Sequence, residues 1–285
     1  MKGWLIVNTF MDNQKFVNLY KLLSDAFDKN NISLEIKKAE DISLEVGKPL
    51  LDNPDFAIFW DKDIYLAERL ESNGIRLFNN SRAINLCDNK ILMYQELAKN
   101  GINIPRTFIA PKTFEGLNYS KRDFLNSVIN EIGWPIVIKE AYGSFGEQVY
   151  LANNLQDANI IIDHLGYKDF LIQEFIASSK GKDIRINVVG DKAAASMLRE
   201  NKNDFRSNIS NGGNGTNYNP KQEYIDLAIK AKQALNLDFA GVDVLFGENG
   251  PIICEINSNP QFASTLKATG INLADEIVKY ILRQL

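Results

Sequence analysis

GVDVLFGENGPIICEINSNP, residues Gly241–Pro260, decides the fold. Two apolar runs, Gly241–Phe246 and Pro251–Ile256, flank a turn that contains Asn249-Gly250. Asn-Gly between hydrophobic runs is a strong hairpin signal. The polar residues inside the runs carry the chemistry. Asp243 sits within the first strand, and Glu255 and Asn257 close the second, two residues apart and so on one face. A three-residue loop, Glu248-Asn249-Gly250 with Gly250 left-handed, sets Asp243 opposite Glu255. Three oxygen-bearing side chains then share a face. Such a group suits Mg²⁺, a hard cation that takes carboxylate and amide oxygens and shares its sphere with phosphates. The plainer alternative is a half-buried hairpin with polar residues on its wet side.

Bulk properties narrow the classes. The 285 residues suffice for about two domains. A composition of 45% hydrophobic and 24% charged residues is that of a soluble globular protein. The net charge of −4 and the lack of a basic stripe argue against a nucleic-acid partner. No apolar run reaches the ~18 residues of a membrane span. The opening MKGWLIVNTF reads as a buried strand rather than a signal peptide: its apolar run is short, ends at Asn8 and has no small-residue cleavage site. Two cysteines, Cys87 and Cys254, imply a reducing, cytoplasmic setting and no disulfide framework. His164 is the only histidine, which excludes a multi-histidine zinc site.

Outward from the hairpin, the first third alternates strands and helices. Strands are expected at Gly3–Asn8, Ser33–Lys37, Phe56–Trp60 and Ile75–Phe78, with helices at Gln14–Lys29 and Ile64–Ser72. This is the pattern of a small parallel α/β domain. No G-x-G-x-x-G follows the first strand, so a dinucleotide fold loses its main support. Asp88 is expected to cap a helix running to Asn100. Further helices are expected at Ser120–Ile132, Leu155–Leu165, Lys221–Leu235 and Asn272–Leu285. Strands are expected at Pro135–Lys139, Gln148–Leu151, Asp169–Ile176, Asp183–Val189 and Ala193–Leu198, and Asn201–Asn219 reads as a long polar loop. The second half is therefore α+β.

Several charged residues stand where strands normally hide apolar ones. Lys139 ends a strand just before Tyr142-Gly-Ser-Phe-Gly146, and a lysine beside a loop rich in backbone N–H groups is a reasonable phosphate grip. Ser144, Phe145 and Gly146 belong to that loop, which is not a Walker A motif. Glu174, Phe175 and Ile176 leave a strand end where backbone groups can read an adenine edge. Asp183 and Arg185 alternate on one strand face, Arg199 ends the partner strand, and Arg206 follows with Ser207 and Asn208. Arginine suits a bidentate grip on carboxylate or phosphate.

The order of these parts is itself informative. The chain resembles the ATP-grasp superfamily, and within it the RimK-like carboxylate–amine ligases, a group that includes alpha-L-glutamate ligases and LysX-type relatives. The segments that carry the resemblance are DNKILMYQELAKNGINIPRT (Asp88–Thr107), IVIKEAYGSFG (Ile136–Gly146), IQEFI (Ile172–Ile176), GKDIRINVVGDKAAASMLRE (Gly181–Glu200), DFRSNISNGG (Asp204–Gly213) and the opening hairpin. It implies an ATP-grasp fold of mixed α/β and α+β class. A pre-ATP-grasp domain would span residues 1–85, a central subdomain with the glycine loop 86–176, and a C-terminal subdomain with the metal hairpin 177–285. Lys90 and Lys139 would contact ATP phosphates, helped by Ser144, Phe145 and Gly146. Glu174, Phe175 and Ile176 would form the adenine hinge, with Asp183 nearby. Arg206, Ser207 and Asn208 would lie along the phosphate or acyl-phosphate. Asp243, Glu255 and Asn257 would hold one or two Mg²⁺ ions, with Mn²⁺ as an alternative, and Arg185 and Arg199 would face the carboxylate substrate.

The implied reaction is ATP-dependent amide formation through an acyl-phosphate, on an amino acid such as glutamate, with the amine free or carried by a peptide or protein. A homo-oligomer is also a family expectation. Glu147 replaces the basic residue that LysX-type relatives carry after a similar loop, and NSNPQFAS (Asn257–Ser264) matches neither subgroup, which leaves the substrate open. Two other readings stay open: a different ATP-grasp ligase, and an inactive ATP-binding regulatory module.

Overall fold

Four parallel strands form the first layer. In the computed structural model, which describes residues 1–42 and 45–285, they run with two helices in the order β1 (Lys2–Val7), α1 (Gln14–Asp28), β2 (Ser33–Lys38), β3 (Phe56–Trp60), α2 (Ile64–Ser72) and β4 (Arg76–Phe78). The sheet order is β2-β1-β3-β4. The apolar runs LIV and FAIFW take the central places because a central parallel strand is covered on both faces. Asn13 caps α1, which buries Leu19, Leu23, Ala26 and Phe27. Asp63 caps α2 by accepting from the backbone N–H groups of Tyr65 and Leu66.

An unexpected helix, α3 (Ser81–Asp88), runs directly into α4 (Lys90–Lys99), the helix expected from Asp88 to Asn100. The cap is Asn89, whose side chain accepts from Ile91 N at 3.0 Å and Leu92 N at 3.2 Å. This break makes Lys90 the first residue of α4, and its backbone N–H donates to Ala141 O at 2.8 Å.

The second layer is built from β5 (Thr107–Ile109), α5 (Phe124–Ile132), β6 (Ile136–Glu140), β7 (Val149–Ala152), α6 (Leu155–Leu165) and β8 (Phe170–Glu174). Its antiparallel sheet has the order β5-β8-β6-β7. Ile136, Ile138, Phe170 and Ile172 form one core with Leu125 and Val128 of α5 and Ile162 of α6. Alternation along β6 sends Lys139 to the opposite face, where its ammonium reaches Tyr94.

The third layer is a five-stranded antiparallel sheet of order β11-β10-β9-β12-β13. Its parts are β9 (Lys182–Val189), β10 (Lys192–Glu200), β11 (Asn214–Asn217), α7 (Gln222–Ala234), β12 (Phe239–Gly247) and β13 (Gly250–Asn257), followed by α8 (Ala263–Thr269) and α9 (Leu273–Gln284). One face is apolar: Ile184, Ile186, Val188, Val242, Val244 and Ile256 share a core with Tyr224, Ala228 and Ala231 of α7. The other face is polar along its middle and apolar at one end, where Val189 pairs with Phe239. β10 runs past the expected end at Leu198 and so takes Arg199 into the sheet. β11 lies inside the expected polar loop, because its sequence NGTN is poor in the residues that favour strands.

The hairpin reaches the expected register by a different route. Asp243 pairs with Glu255, yet Val244 pairs with Ile253 and Gly247 with Gly250. The turn holds two residues, Glu248 and Asn249, and the extra residue is Cys254, in a bulge. The bulge matters. Ile253 faces the α7 core and Glu255 faces the opposite side, although two residues apart in an unbroken strand would share a face.

The layers close on one another through α9. Its Leu273, Ile277, Val278 and Ile281 share a core with Leu5, Leu19, Leu23 and Phe27 of the first layer, and with Phe239 and Phe262. Residues 177–285 therefore do not pack only on their own sheet. Among the described residues no helix is long and apolar enough to cross a membrane, and both cysteines are free.

Candidate active site

The polar face of the third sheet gathers four charged side chains. The register sets Asp243 beside Arg185 and Asp183 beside Arg199. Arg185 donates through Nε to Asp243 Oδ1 and through Nη2 to Oδ2, the latter at 2.9 Å. Arg199 donates to both oxygens of Asp183, from Nε at 2.7 Å, and its Nη2 also lies 2.9 Å from Asp243 Oδ2. None of the four is more than 8% exposed. Burial opposes ionisation of Asp243, but Arg185 and Arg199 override it and hold the carboxyl below its usual value. Two cations and two anions cancel, which makes their joint burial tolerable. Asp183 and Asp243 thus have their carboxylates occupied by guanidiniums.

Glu255 and Asn257 are placed differently. The nearest cation to Glu255 is the Lys90 Nζ, at 3.5 Å. The Asn257 Nδ2 is buried without a partner, and both side chains line the same cavity. Among the described residues neither the Glu255 carboxylate nor Asn257 Oδ1 accepts a hydrogen bond. These two oxygen donors fit a hard divalent cation; Asp243 would join them only by giving up a guanidinium.

Lys90 and Lys139 flank residues 254–255 of β13. Lys139 Nζ donates to the Tyr94 hydroxyl at 3.0 Å and lies 4.0 Å from Cys254 Sγ. Tyr94 in turn donates to the Cys254 carbonyl. Lys90 Nζ donates to Gly143 O at 2.9 Å. Both lysines are almost fully buried, and among the described residues no carboxylate lies within ion-pair distance of Lys139. A buried cation that faces only neutral groups favours an anionic ligand. Burial pushes the Cys254 thiol up to about 11, so at neutral pH it is not a thiolate nucleophile.

Two loops meet over this centre. Arg206 Nη1 donates to Gly146 O at 2.6 Å, and Ser210 Oγ donates to Phe145 O at 3.2 Å. The Lys15 ammonium of α1 lies 4.4 Å from the centre of the Phe145 ring. Ser207 is buried beneath, and Asn208 packs so closely on Gly146 that a Cβ there would stand 2.7 Å from its Oδ1. Gly181 anchors the second loop: its N–H donates to Phe205 O at 2.8 Å and its carbonyl accepts from Asn201 N at 2.7 Å. Its φ is +67°, and a Cβ would stand 2.4 Å from Asn201 O. Gly181→Ala is therefore expected to destabilise the fold by about 1–3 kcal/mol, read by urea unfolding.

A cavity of about 360 Å³ lies between the polar sheet face, the two loops and the first layer. Of the residues expected at the site, Ser144, Phe145, Arg185, Arg199, Asn208, Glu255 and Asn257 line it. Lys90, Lys139, Gly146, Asp183, Arg206, Ser207 and Asp243 do not. Nor do Glu174, Phe175 and Ile176. Glu174 Oε1 accepts from Arg106 N at 2.8 Å, and Phe175 stands edge-on to Phe205 with ring centres 6.5 Å apart.

The first layer adds residues that the sequence reading passed over. Asn8 and Asp61 directly follow β1 and β3, and Asn8 Nδ2 donates to Asp61 Oδ1 at 3.1 Å. Lys62 Nζ donates to Asp88 and, at 3.0 Å, to Ser144 Oγ. Asn259 Nδ2 donates to Asp61 O at 2.8 Å, while Asn259 Oδ1 and Gln261 Oε1 are buried without partners. A signal did exist: parallel sheets bind ligands beyond the carboxyl ends of their strands, and Asn8 and Asp61 are the polar residues at two such ends.

The chain is similar to known proteins in sequence and in fold. The RimK-like ATP-grasp domain family matches residues 87–281. An uncharacterized protein of Mycoplasma pneumoniae is 34% identical over 271 residues, covering 93% of each chain. A protein of Klebsiella pneumoniae described as a "Probable alpha-L-glutamate ligase" is 37% identical over 219 residues, 76% of this chain and 70% of its own. The crystal structure of a RimK domain ATP-grasp protein from Sphaerobacter thermophilus superposes with a TM-score of 0.76 at 19% identity, over 98% of this chain and 99% of that one.

Proposed function

The chain belongs to the RimK-like ATP-grasp family of ATP-dependent carboxylate–amine ligases, and from that premise we propose that it joins a carboxylate to the amine of an amino acid or peptide, with glutamate the first candidate. One observation carries the reading most: Arg185, Arg199, Glu255, Asn257 and the Ser144–Phe145 loop face one cavity. Glutamate is favoured by the description of the Klebsiella relative.

The substrate carboxylate attacks the γ-phosphorus of ATP, the bond to the ADP oxygen breaks, and an acyl-phosphate forms. The amine then attacks the acyl carbon, phosphate leaves with the bonding pair, and the amine proton passes to solvent or base. Such transfer needs alignment and charge neutralisation more than covalent help. Lys90 and Lys139 grip the phosphates. Glu255 and Asn257 would hold Mg²⁺, which would supply further neutralisation of phosphate charge. Arg185 and Arg199 stabilise the oxyanion at the acyl carbon. Asn8, Asp61 and Lys62 form the substrate-side wall.

The two loops keep water from the acyl-phosphate. Proteolysis within residues 143–146 and 201–215 is expected to slow several-fold on addition of ATP and Mg²⁺; equal cleavage with and without nucleotide would count against a lid.

The decisive assay is ADP release with ATP and Mg²⁺ across amino acids, alone and in pairs, with product mass determined. Release that needs both a carboxylate and an amine upholds the reading. Tight ATP binding without turnover for any mixture, peptides and proteins included, would favour a regulatory module.

A further inference from the structure

A second cavity, of about 330 Å³, opens where the first layer meets α7, the turn before β12 and α9. It shares no lining residue with the cavity of the proposed active site. Its walls are polar: Arg76 of β4, Asn80, Lys232 and Gln233 of α7, Asp238, and Tyr280 of α9.

Two of these groups are left with unmet needs. Lys232 is only 5% exposed, and among the described residues its ammonium makes no hydrogen bond or ion pair. Asp238 is equally buried. Its Oδ1 accepts from Arg76 Nη2 at 2.8 Å and from the Tyr280 hydroxyl at 2.9 Å, while its Oδ2 is buried without a partner. A buried carboxylate oxygen is costly when unpaired, and the Lys232 ammonium, at the end of an otherwise buried side chain, is open to acceptors that enter the cleft. Burial moves Lys232 below and Asp238 above their usual values, although Asp191 and Asp238 support the one charge and Arg76 and Lys232 the other.

From this juxtaposition we infer that the cleft between Arg76, Lys232 and Asp238 is a second ligand site, for an oxyanion that keeps one acidic proton: hydrogen phosphate or a small phosphomonoester. The chemistry selects it. Lys232 and the half-exposed Arg76 require acceptor oxygens, and Asp238 Oδ2 requires a donor. A hydrogen phosphate group supplies both. Sulfate, fully deprotonated at neutral pH, sets a lone pair against Asp238 instead. Among the lining residues Arg76, Lys232 and Asp238 sum to +1, which Asp191, near Lys232 but outside the lining, offsets from behind the wall, and the cavity exceeds the volume of a phosphate ion, leaving room for a small ester.

The test is equilibrium dialysis of the full chain against labelled inorganic phosphate, with the nucleotide site filled by a non-hydrolysable ATP analogue and Mg²⁺. One saturable site per chain is expected. Sulfate should compete about tenfold or more weakly than phosphate, and Lys232→Met and Arg76→Gln should each weaken binding about tenfold or more. Arg76 is half-exposed, so its variant stays informative should Lys232→Met fold poorly. Competition by glycerol phosphate at lower concentration than phosphate marks an ester as the ligand, the reverse order marks the free ion, and both uphold the site. The proposal is overturned by the absence of saturable binding, by equal competition from sulfate, or by binding that survives both variants but is lost in Lys139→Met. Glycine displacing phosphate would overturn it in favour of a zwitterion site.

Discussion

Asp243→Asn is expected to lose about 3–5 kcal/mol of folding stability, because removing one partner from a buried ion-pair network leaves an uncompensated charge. In the native chain Arg185 and Arg199 share Asp243, and Arg199 also holds Asp183. The amide leaves two buried guanidiniums facing one carboxylate. The double variant Asp243→Asn with Arg185→Gln restores neutrality in the remaining Arg199–Asp183 pair. It should therefore be more stable than the sum of its single variants. Urea unfolding of the four proteins measures this. Additive losses, or a single-variant loss under about 1 kcal/mol, would show that the network is not coupled as drawn. Inactivity of Asp243→Asn alone would thus say little about metal binding.

Glu255→Gln separates catalysis from folding. It is expected to lower ADP release by about 10²–10³-fold, the usual cost of losing one electrostatic contact in a transition state. Its stability should change by less than that of Asp243→Asn, because the Glu255 carboxylate is a quarter exposed and spaced at 3.5 Å from Lys90, although the buried Lys90 ammonium loses its nearest anion. The Glu255 carboxylate sits on the cavity wall beside Asn257, on the side to which the bulge at Cys254 turns it. Steady-state rates with saturating amino acids, together with thermal unfolding, give both numbers. Near-native turnover would remove Glu255 from the proposed metal site.

The sequence made the hairpin legible because its apolar runs and Asn-Gly turn are local signals. Its final register was also legible, but not the bulge, which depends on Ile253 finding the α7 core. Lys139, Arg185 and Arg199 stood out as charges in strands. What stayed hidden was their pairing: nothing in the spacing of Asp183 and Asp243 tells that both carboxylates are taken by arginines, since that follows from which strands become neighbours. β11 was hidden because NGTN pairs through backbone alone, without a side-chain pattern. Asn8 and Asp61 were hidden for a different reason. Each is an ordinary polar residue after a strand, and only the parallel order of β1 and β3 aligns them at one edge.

The placement of α9 bears on how the protein is made. The core beneath α1 and β1 is finished by Leu273, Ile277, Val278 and Ile281, so a segment made early waits for one made about 250 residues later. Until then α1 and the sheet under it present an uncovered apolar surface, the kind that invites chaperones and aggregation. Translation pauses or truncations before residue 273 would act on the layer of α1 and β1 as much as on α9.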